Sequence, residues 1–249
     1  MTKGKLFNRV LRSAASMLTR QGFHVSEERY SAAYLKRYGF DINTFIDVGV
    51  YQGSPVFYEL FKDKKFVLVD PQPDTMEKAA DSVKGLNFDY IQSGAGSAKG
   101  VATLSLEGPS SSLMKRRDWK RQPEKTVEIQ ISPLDELLEN KGYKGPFGLK
   151  VDTEGFDLDV LKGAEKTLRE TQFVFTEASL RRRFEGSYRF SELVAYMAEQ
   201  GFEVADVIPH RSHNRLVDVL FVRSDSSYLE PNAVPVRMVG SSGKTNNQS

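Results

Sequence analysis

From residue 40 onward, the chain alternates short apolar, β-branched runs with longer stretches of helical periodicity. This alternation is typical of a parallel sheet whose strands are connected by helices packed on its faces. We therefore predict an α/β fold. Strands are expected at Thr44 to Val50, Phe66 to Asp70, Phe88 to Gln92, Phe147 to Asp152, Phe173 to Glu177, Glu203 to Ile208 and Leu216 to Arg223. Helices are expected at Pro55 to Phe61, Asp74 to Val83, Leu158 to Glu170 and Ser191 to Gln200.

The lengths of the connections refine this prediction. Only residues 209–215 separate the last two strands, which is too short for a helical crossover, so these strands should run antiparallel. Two further runs, Ala102 to Glu107 and Val127 to Ser132, are expected to be strands of an insertion between the third and fourth parallel strands. The predicted sheet is therefore mostly parallel, with an antiparallel last strand.

The composition excludes several kinds of site. The chain has no cysteine, which excludes a disulfide framework, a thiolate zinc site, an iron–sulfur cluster and a cysteine nucleophile. It has three histidines, so a multi-histidine metal site is not expected. The formal net charge is +2, and no apolar run approaches the roughly 18 residues that a membrane-spanning helix needs. We predict a cytoplasmic protein, with peripheral contact with the membrane as an open alternative, and assign no metal ligands.

The N-terminal segment is locally basic. Five basic residues precede the first acid, and apolar residues recur beside them at helical spacing. A secretory signal is disfavoured because Arg9 and Arg12 interrupt the apolar stretch. Two hypotheses remain for residues 1–20: the helix packs across the main domain, or it makes peripheral contact with an anionic membrane. We divide the chain into this helical segment (1–40), a main domain (41–225) and a disordered, Gly-rich tail (226–249).

The first chemical signal is FIDVGVYQG, residues 45–53, where an apolar strand runs directly into a turn with Gly49 and Gly53. Glycine at such a turn lets the backbone approach a ligand closely. The next strand ends on Asp70, 21 residues beyond Gly49, at a spacing suited to holding a ribose diol with a carboxylate. The alternative is structural: two glycines that only form a turn, and a polar residue that ends a strand before Pro71.

The turn lacks the three-glycine G-x-G-x-x-G arrangement, which argues against NAD or FAD. Its D-x-G-x-x-x-G pattern, the acidic end of the next strand and the later run LKVDTEGFDLDVLKGAEKTL resemble the FkbM-type branch of class I S-adenosylmethionine-dependent methyltransferases. The long second motif carries most of this resemblance, which covers about residues 44–180. It implies a Rossmann-like class I methyltransferase sheet and S-adenosyl-L-methionine as the cofactor.

The resemblance also implies a cofactor site at the ends of the first four strands. Its members would be Asp47, Gly49, Gly53, Asp70, Gln72, Ser93, Gly94 and Asp152. The first three would line the methionine half of the cofactor, Asp70 would hold the ribose hydroxyls and Gln72 would reach the adenosine edge. Class I methyltransferases often have an acid where this chain has Ser93 and Gly94, so a hydroxyl or backbone groups would have to hold the adenine here.

A second group of residues is predicted to catalyse the methyl transfer. Asp152 and Glu154 end the fourth strand, and Glu177 and His210 are expected near the same rim. Methyl transfer to oxygen needs an aligned acceptor and removal of its proton, which a carboxylate or an imidazole can supply. The alternatives are that Glu154 only stabilises a helix N-terminus and that His210 is a solvated loop residue. A divalent-cation site of Asp152, Glu154 and Glu177 is the less favoured interpretation.

The acceptor is predicted from charge. Basic clusters at residues 115–121, around Trp119, and at residues 181–183 could receive a phosphate or an acidic sugar, or could simply be solvated. We predict O-methylation of a hydroxyl on a saccharide, glycolipid or related small metabolite. The alternatives are an RNA methyltransferase, disfavoured because the net charge is small and the basic clusters are short, and a non-catalytic relative of the fold.

Overall fold

The structure of the protein is a computed structural model. It describes residues 13–14, 16–22, 28–117, 121, 123, 125–210 and 216–230. Its centre is a seven-stranded sheet in the order β3-β2-β1-β7-β8-β10-β9. These strands are β1 (Thr44–Val48), β2 (Lys65–Val69), β3 (Asn87–Ile91), β7 (Phe147–Val151), β8 (Thr171–Ser179), β9 (Phe202–Pro209) and β10 (Leu216–Arg223). Within this seven-stranded sheet, only the pairings of β10 with β8 and β9 are antiparallel.

A smaller sheet and short helices complete the described part of the chain. The small sheet has the order β4-β6-β5, formed by β4 (Gly94–Ala95), β5 (Gly100–Ser105) and β6 (Thr126–Ser132). The helices are α1 (Ala32–Leu35), α2 (Pro55–Leu60), α3 (Thr75–Lys78), α4 (Leu134–Leu138), α5 (Asp157–Lys162), α6 (Glu165–Arg169) and α7 (Phe190–Glu199).

The main sheet is covered on both faces, which explains its apolar strands. Every residue of β1 and of β7 is buried. Because successive side chains point to opposite faces, Ile46 packs into one apolar cluster and its neighbour Phe45 into the other. The second cluster is rich in aromatic rings, with Phe45 stacked on Phe57 at a centroid distance of 5.0 Å. This packing brings the carboxyl ends of β1, β2 and β7 to one edge of the sheet.

The predicted α/β class, the mostly parallel sheet and the antiparallel last strand are confirmed. The helix predicted from Leu158 to Glu170 is instead two helices, α5 and α6, separated near Gly163. A Cβ atom at Gly163 would lie 1.9 Å from the carbonyl oxygen of Gly96, so the chain passes the insertion too closely for any side chain. The helix predicted from Asp74 to Val83 is also shorter, because α3 ends at Lys78.

The boundary predicted at residue 40 differs from the structure. Tyr34, Leu35 and Tyr38 are buried in the aromatic-rich cluster, and the Arg29 guanidinium forms an ion pair with Asp206 of β9. Residues 28–40 therefore belong to the main domain rather than to a separate segment. Upstream, residues 13–14 and 16–20 are helical and exposed, and residues 1–12 lie outside the described residues.

The predicted tail also differs where the structure describes it. Tyr228 packs against Tyr38 with ring centroids 4.3 Å apart, so residues 226–230 are attached to the domain. Residues 231–249 lie outside the described residues. Among the described helices, none combines the length and the apolar character needed to cross a membrane.

Candidate functional site

A cleft opens at the carboxyl ends of β1, β2 and β7. Its empty volume, part of which is open solvent, is about 970 Å³, near the upper end of the range of small-molecule sites. The walls include most of the residues that the sequence singled out: Gly49, Gly53, Asp70, Gln72, Ser93, Gly94, Asp152 and Glu154. The small sheet adds Leu104 and the loop after it, residues 109 and 111–113. Tyr30 reaches the cleft from the N-terminal segment.

The turn after β1 depends on glycine. Gly49 has φ +83°, and a Cβ atom there would lie 1.8 Å from the backbone oxygen of Asp152. Gly53 has φ +91°, and a Cβ there would lie 2.8 Å from the side chains of Ser82 and Tyr58. Both positions combine a left-handed backbone with a close approach, so a larger residue would displace the wall of the cleft.

Asp70 lies at the end of β2, and its side chain organises the adjacent backbone. One carboxylate oxygen accepts hydrogen bonds from the Gln72 N–H and the Thr75 hydroxyl, both at 2.8 Å. The other accepts from the Tyr51 N–H at 2.9 Å. Burial raises the pKa of Asp70, and these three donors oppose the rise. Three of about four acceptor positions are occupied, which leaves one on the Tyr51 side for a ligand hydroxyl.

A buried lysine in the wall of the cleft pairs with two acids. Lys150 of β7 places its Nζ 3.2 Å from Oδ2 of Asp152 and 3.5 Å from Oδ1 of Asp47. The Tyr58 hydroxyl donates to the other Asp47 oxygen at 2.7 Å. Burial acts to lower the pKa of Lys150, but the carboxylates of Asp152 and Asp47 outweigh it, so the pKa is raised and the lysine stays charged. Asp47 is fully buried and does not line the cleft.

Glu154 lies in the turn after β7, with φ +50°. Its Oε2 is 3.2 Å from Arg183 Nη2 and 3.4 Å from Arg116 Nη1. Burial raises the pKa of Glu154 to about 7, with Arg183 and Arg116 opposing the rise and Asp152 reinforcing it. A carboxyl group with this pKa changes its protonation state near neutral pH, which is what a general base or acid requires.

Glu177 and His210 lie behind Glu154 and do not line the cleft. Arg183 bridges the acids, since its other nitrogen is 3.3 Å from Glu177. His210 Nε2 is 3.1 Å from Oδ2 of Asp218 in β10 and 3.7 Å from Glu177. The contact with Asp218 raises the pKa of His210, and burial raises the pKa of Glu177.

The helix N-terminus that the sequence offered as the alternative role for Glu154 is occupied by Asp157. Asp157 is buried in the first turn of α5 and accepts from the Thr153 N–H at 2.8 Å, the Gly155 N–H at 3.2 Å and the Tyr188 hydroxyl at 3.0 Å. Burial raises the pKa of Asp157 to about 6. Because Asp157 shapes this turn, Glu154 is held outside the helix and faces the cleft.

The model of the methyltransferase FkbM domain matches residues 47–204, which is more than half of the chain. The chain belongs to the FkbM methyltransferase family. This assignment confirms the resemblance seen in the sequence. Members of this family use S-adenosyl-L-methionine as the cofactor.

A curated relative and two solved structures are similar to parts of the chain. The hexuronic acid methyltransferase AglP of Haloferax volcanii is 29% identical over 108 residues, which are 43% of this chain and 44% of that protein. The chain therefore matches less than half of the length of this relative. The fibrillarin pre-rRNA processing protein of Methanococcus jannaschii has a TM-score of 0.48 at 10% identity, covering 73% of this chain and 66% of that one. Magnesium protoporphyrin IX methyltransferase of Synechocystis, solved with bound cofactor, has a TM-score of 0.43 at 9% identity. The match covers 88% of this chain and 80% of that one.

The residues of the cleft fit the cofactor of this family. Asp70 offers a carboxylate acceptor, and the turn with Gly49 and Gly53 gives close access to backbone. Ser93 and Gly94 also line the cleft, although the Ser93 hydroxyl is engaged with the backbone oxygen of Gly94 at 3.0 Å. Of the eight predicted cofactor residues, only Asp47 lies away from the cleft, where it supports the wall through Lys150 and Tyr58 instead.

Sequence reasoning missed several residues of this site. Lys150 had a signal, because a charged residue interrupts the apolar strand FGLKV. Arg116 and Arg183 belong to the two predicted basic clusters, but their pairing with Glu154 could not be foreseen. Tyr30 gave no signal. Trp119, which lies in the first predicted basic cluster, is outside the described residues. Among the residues that the structure describes, no group of three or more His, Asp or Glu side chains is arranged to hold a metal ion.

Proposed function

We propose that the protein transfers a methyl group from S-adenosylmethionine to a hydroxyl group of a saccharide, and that an acidic sugar is the best candidate. The main support for an oxygen atom as the methyl acceptor is Glu154, a carboxyl group in the cleft whose pKa is raised to about 7. A hydroxyl must lose a proton as it is methylated, and a base with a pKa near the working pH is the most effective. The similarity to a hexuronic acid methyltransferase supports the saccharide.

Each residue has a distinct part in this proposal. When bound, the cofactor supplies an electrophilic methyl group. Glu154 accepts the proton of the acceptor hydroxyl, while Asp152, beside it in the cleft, positions that hydroxyl. Glu177 and His210 lie outside the cleft lining, and we propose that they act through Arg183 and Asp218 by setting the charge around Glu154. They are therefore positioning residues rather than groups that contact the acceptor.

An acceptor screen tests the proposal. The full-length protein is incubated with methyl-labelled cofactor and, separately, with uronic-acid glycans, neutral glycans, lipid-linked sugars and structured RNA. We expect labelled product with a glycan, and more with uronic acids than with neutral sugars. Methylation of RNA without methylation of any glycan would contradict the proposal.

Three variants test the catalytic assignment of Glu154 and Asp152. Because Glu154→Gln removes the base, we expect it to lower kcat about 100-fold and to abolish the dependence of kcat on pH near 7, with little change in cofactor affinity. Glu128→Gln, on the exposed face of β6, is the matched control and should behave as the wild type. Full turnover in both Asp152→Asn and Glu154→Gln would show that this catalytic assignment is mistaken.

A further inference from the structure

Two loops meet at the rim of the cleft, beside Glu154. The loop after β5 and the loop after β8 form an antiparallel bridge between Arg116 and Phe184. Next to this bridge, the Arg117 N–H donates to the Arg183 carbonyl at 2.6 Å. The two basic clusters, which lie more than fifty residues apart in the sequence, therefore form one surface in the structure.

The basic residues of this surface fall into two sets. The side chains of Arg116 and Arg183 are only 9% and 8% exposed, and both contact Glu154. The exposed arginines, here called the rim arginines, are Arg117, Arg181 and Arg182. Within the described part of the chain, none of the rim arginines forms an ion pair, whereas Lys115 is paired with Glu185 at 3.0 Å. The rim arginines therefore carry positive charge that the described acids do not neutralise.

The cleft beside this rim is acidic. The charged residues of its lining are Asp70, Asp152, Glu154 and Lys150. Lys150 is already paired with Asp152 and Asp47. Because like charges that face each other are unfavourable, an acidic acceptor cannot turn its carboxylates toward this lining. The rim arginines offer the opposite charge just outside it, so a hydroxyl can enter the cleft while the anionic groups stay at the rim.

We propose that the rim arginines bind the carboxylates of sugars next to the one that is methylated, so that the acceptor is an acidic oligosaccharide rather than a single sugar. A guanidinium group matches a carboxylate with two parallel hydrogen bonds, and three such groups can hold carboxylates from more than one sugar. Leu180, which precedes Arg181 and is 51% exposed, adds apolar surface that a sugar ring can cover. The proposal rests on the saccharide acceptor proposed above and deepens it.

Binding measurements on the full-length protein with S-adenosylhomocysteine test the rim arginines without methyl transfer. The probes are hexagalacturonate, galacturonic acid and maltohexaose. We expect hexagalacturonate to bind about tenfold more tightly than the other two, with an affinity that falls as the salt concentration rises. Replacing the three rim arginines together by glutamine should weaken hexagalacturonate about tenfold, since each exposed ion pair contributes little by itself. The melting temperature should be unchanged because the three side chains are exposed.

The matched control is a second triple variant, Lys62→Gln, Lys84→Gln and Arg169→Gln. It removes the same charge at exposed positions that precede β2, β3 and β8, at the edge of the sheet opposite the cleft. It should keep the wild-type affinity for hexagalacturonate.

Three results would overturn the rim site. They are equal affinity of the wild type for hexagalacturonate and maltohexaose, equal weakening in the two triple variants, and structured RNA that binds through the rim arginines more tightly than hexagalacturonate does. A glycan methylated equally well by the wild type and the rim variant would also overturn the rim site, and would leave the proposed function standing. The absence of any methylated glycan in the acceptor screen would instead overturn the proposed function.

Discussion

The two halves of the cleft hold their carboxylates in different ways. In the half at the end of β2, Asp70 is held by two backbone N–H groups and one hydroxyl, all neutral donors within 19 residues along the chain. In the half at the end of β7, Glu154 is held by the guanidinium groups of Arg116 and Arg183, which come from two distant loops. The first arrangement is local and the second is tertiary.

This difference matches the two roles that we propose, ligand binding by Asp70 and proton transfer by Glu154. Neutral donors fix the Asp70 carboxylate in one orientation, which suits the binding of a neutral ligand hydroxyl. Charged partners and burial act on Glu154 in opposite directions, and the pKa of its carboxyl group is left at about 7. A site that must change protonation state during reaction therefore depends on side chains from several elements, whereas a site that only binds can be built from one turn.

The largest expected effect is at the junction of the two halves, where Gly49 approaches the backbone oxygen of Asp152. We expect Gly49→Ala to lower the free energy of unfolding by about 4 kcal/mol, because a methyl group would add both backbone strain and a clash. Gly85→Ala is the matched control: Gly85 has a similar φ of +81° with nothing near its Cβ position, so only the strain of about 1 kcal/mol applies. Urea unfolding measures both. Equal losses would show that the close approach is unimportant.

The next effect concerns the β2 half. Asp70→Ala leaves three donors without an acceptor, so we expect a loss of about 3 kcal/mol in unfolding free energy and at least a tenfold weaker affinity for S-adenosylmethionine. Asp74→Ala, at an exposed position on the same loop, should change neither quantity. Calorimetry and thermal melting provide the two measurements. Unchanged cofactor affinity in Asp70→Ala would remove the ribose assignment.

A smaller effect should distinguish the β7 half by its dependence on pH. The folded pKa of Glu154 is raised to about 7 from an ordinary 4.5, so its stabilising contribution is present below pH 4.5 and is lost as the pH rises through 7. We therefore compare the free energy of unfolding of Glu154→Gln with that of the wild type at each pH. We expect the difference, variant minus wild type, to be about 2 kcal/mol higher at pH 8 than at pH 5, after an allowance for partial exposure. Urea unfolding at the two pH values measures this.

Glu192→Gln is the control for the pH experiment. The hydrogen bonds from Arg189 lower the pKa of Glu192, so any pH dependence that it contributes has the opposite sign. An identical pH dependence of unfolding in wild type and Glu154→Gln would contradict the raised pKa of Glu154.

The smallest effect on stability should follow removal of residues 1–20. Met17 and Leu18 are 64% and 42% exposed, so we expect the deletion to change the unfolding free energy by less than about 0.5 kcal/mol and to leave cofactor affinity intact. These exposed apolar side chains favour the hypothesis of peripheral membrane contact, and flotation with anionic liposomes should be lost. Neutral liposomes serve as the control. A full-length protein that ignores anionic liposomes, or a deletion that melts much earlier, would favour packing on the domain.

Much of the fold could be predicted because its signals are local. Apolar runs located all seven strands of the main sheet to within about two residues, and the short connection after Pro209 predicted the antiparallel pairing. Local patterns did not predict the structure where the chain packs closely against backbone that is distant in sequence. The predicted helix from Leu158 is broken near Gly163 by Gly96, which lies more than sixty residues away in sequence.

The sequence by itself determined the parts of the site that one strand and its turn can build. Gly49, Gly53 and Asp70 follow apolar strands at spacings that predict a nucleotide-type cleft, and the structure brings them together there. Tertiary structure decided that Asp47 faces Lys150 and that Tyr30 joins the wall. The physical reason is that hydrophobic periodicity reports which residues are buried along one element, whereas the partner of a buried charge comes from whichever element packs against it.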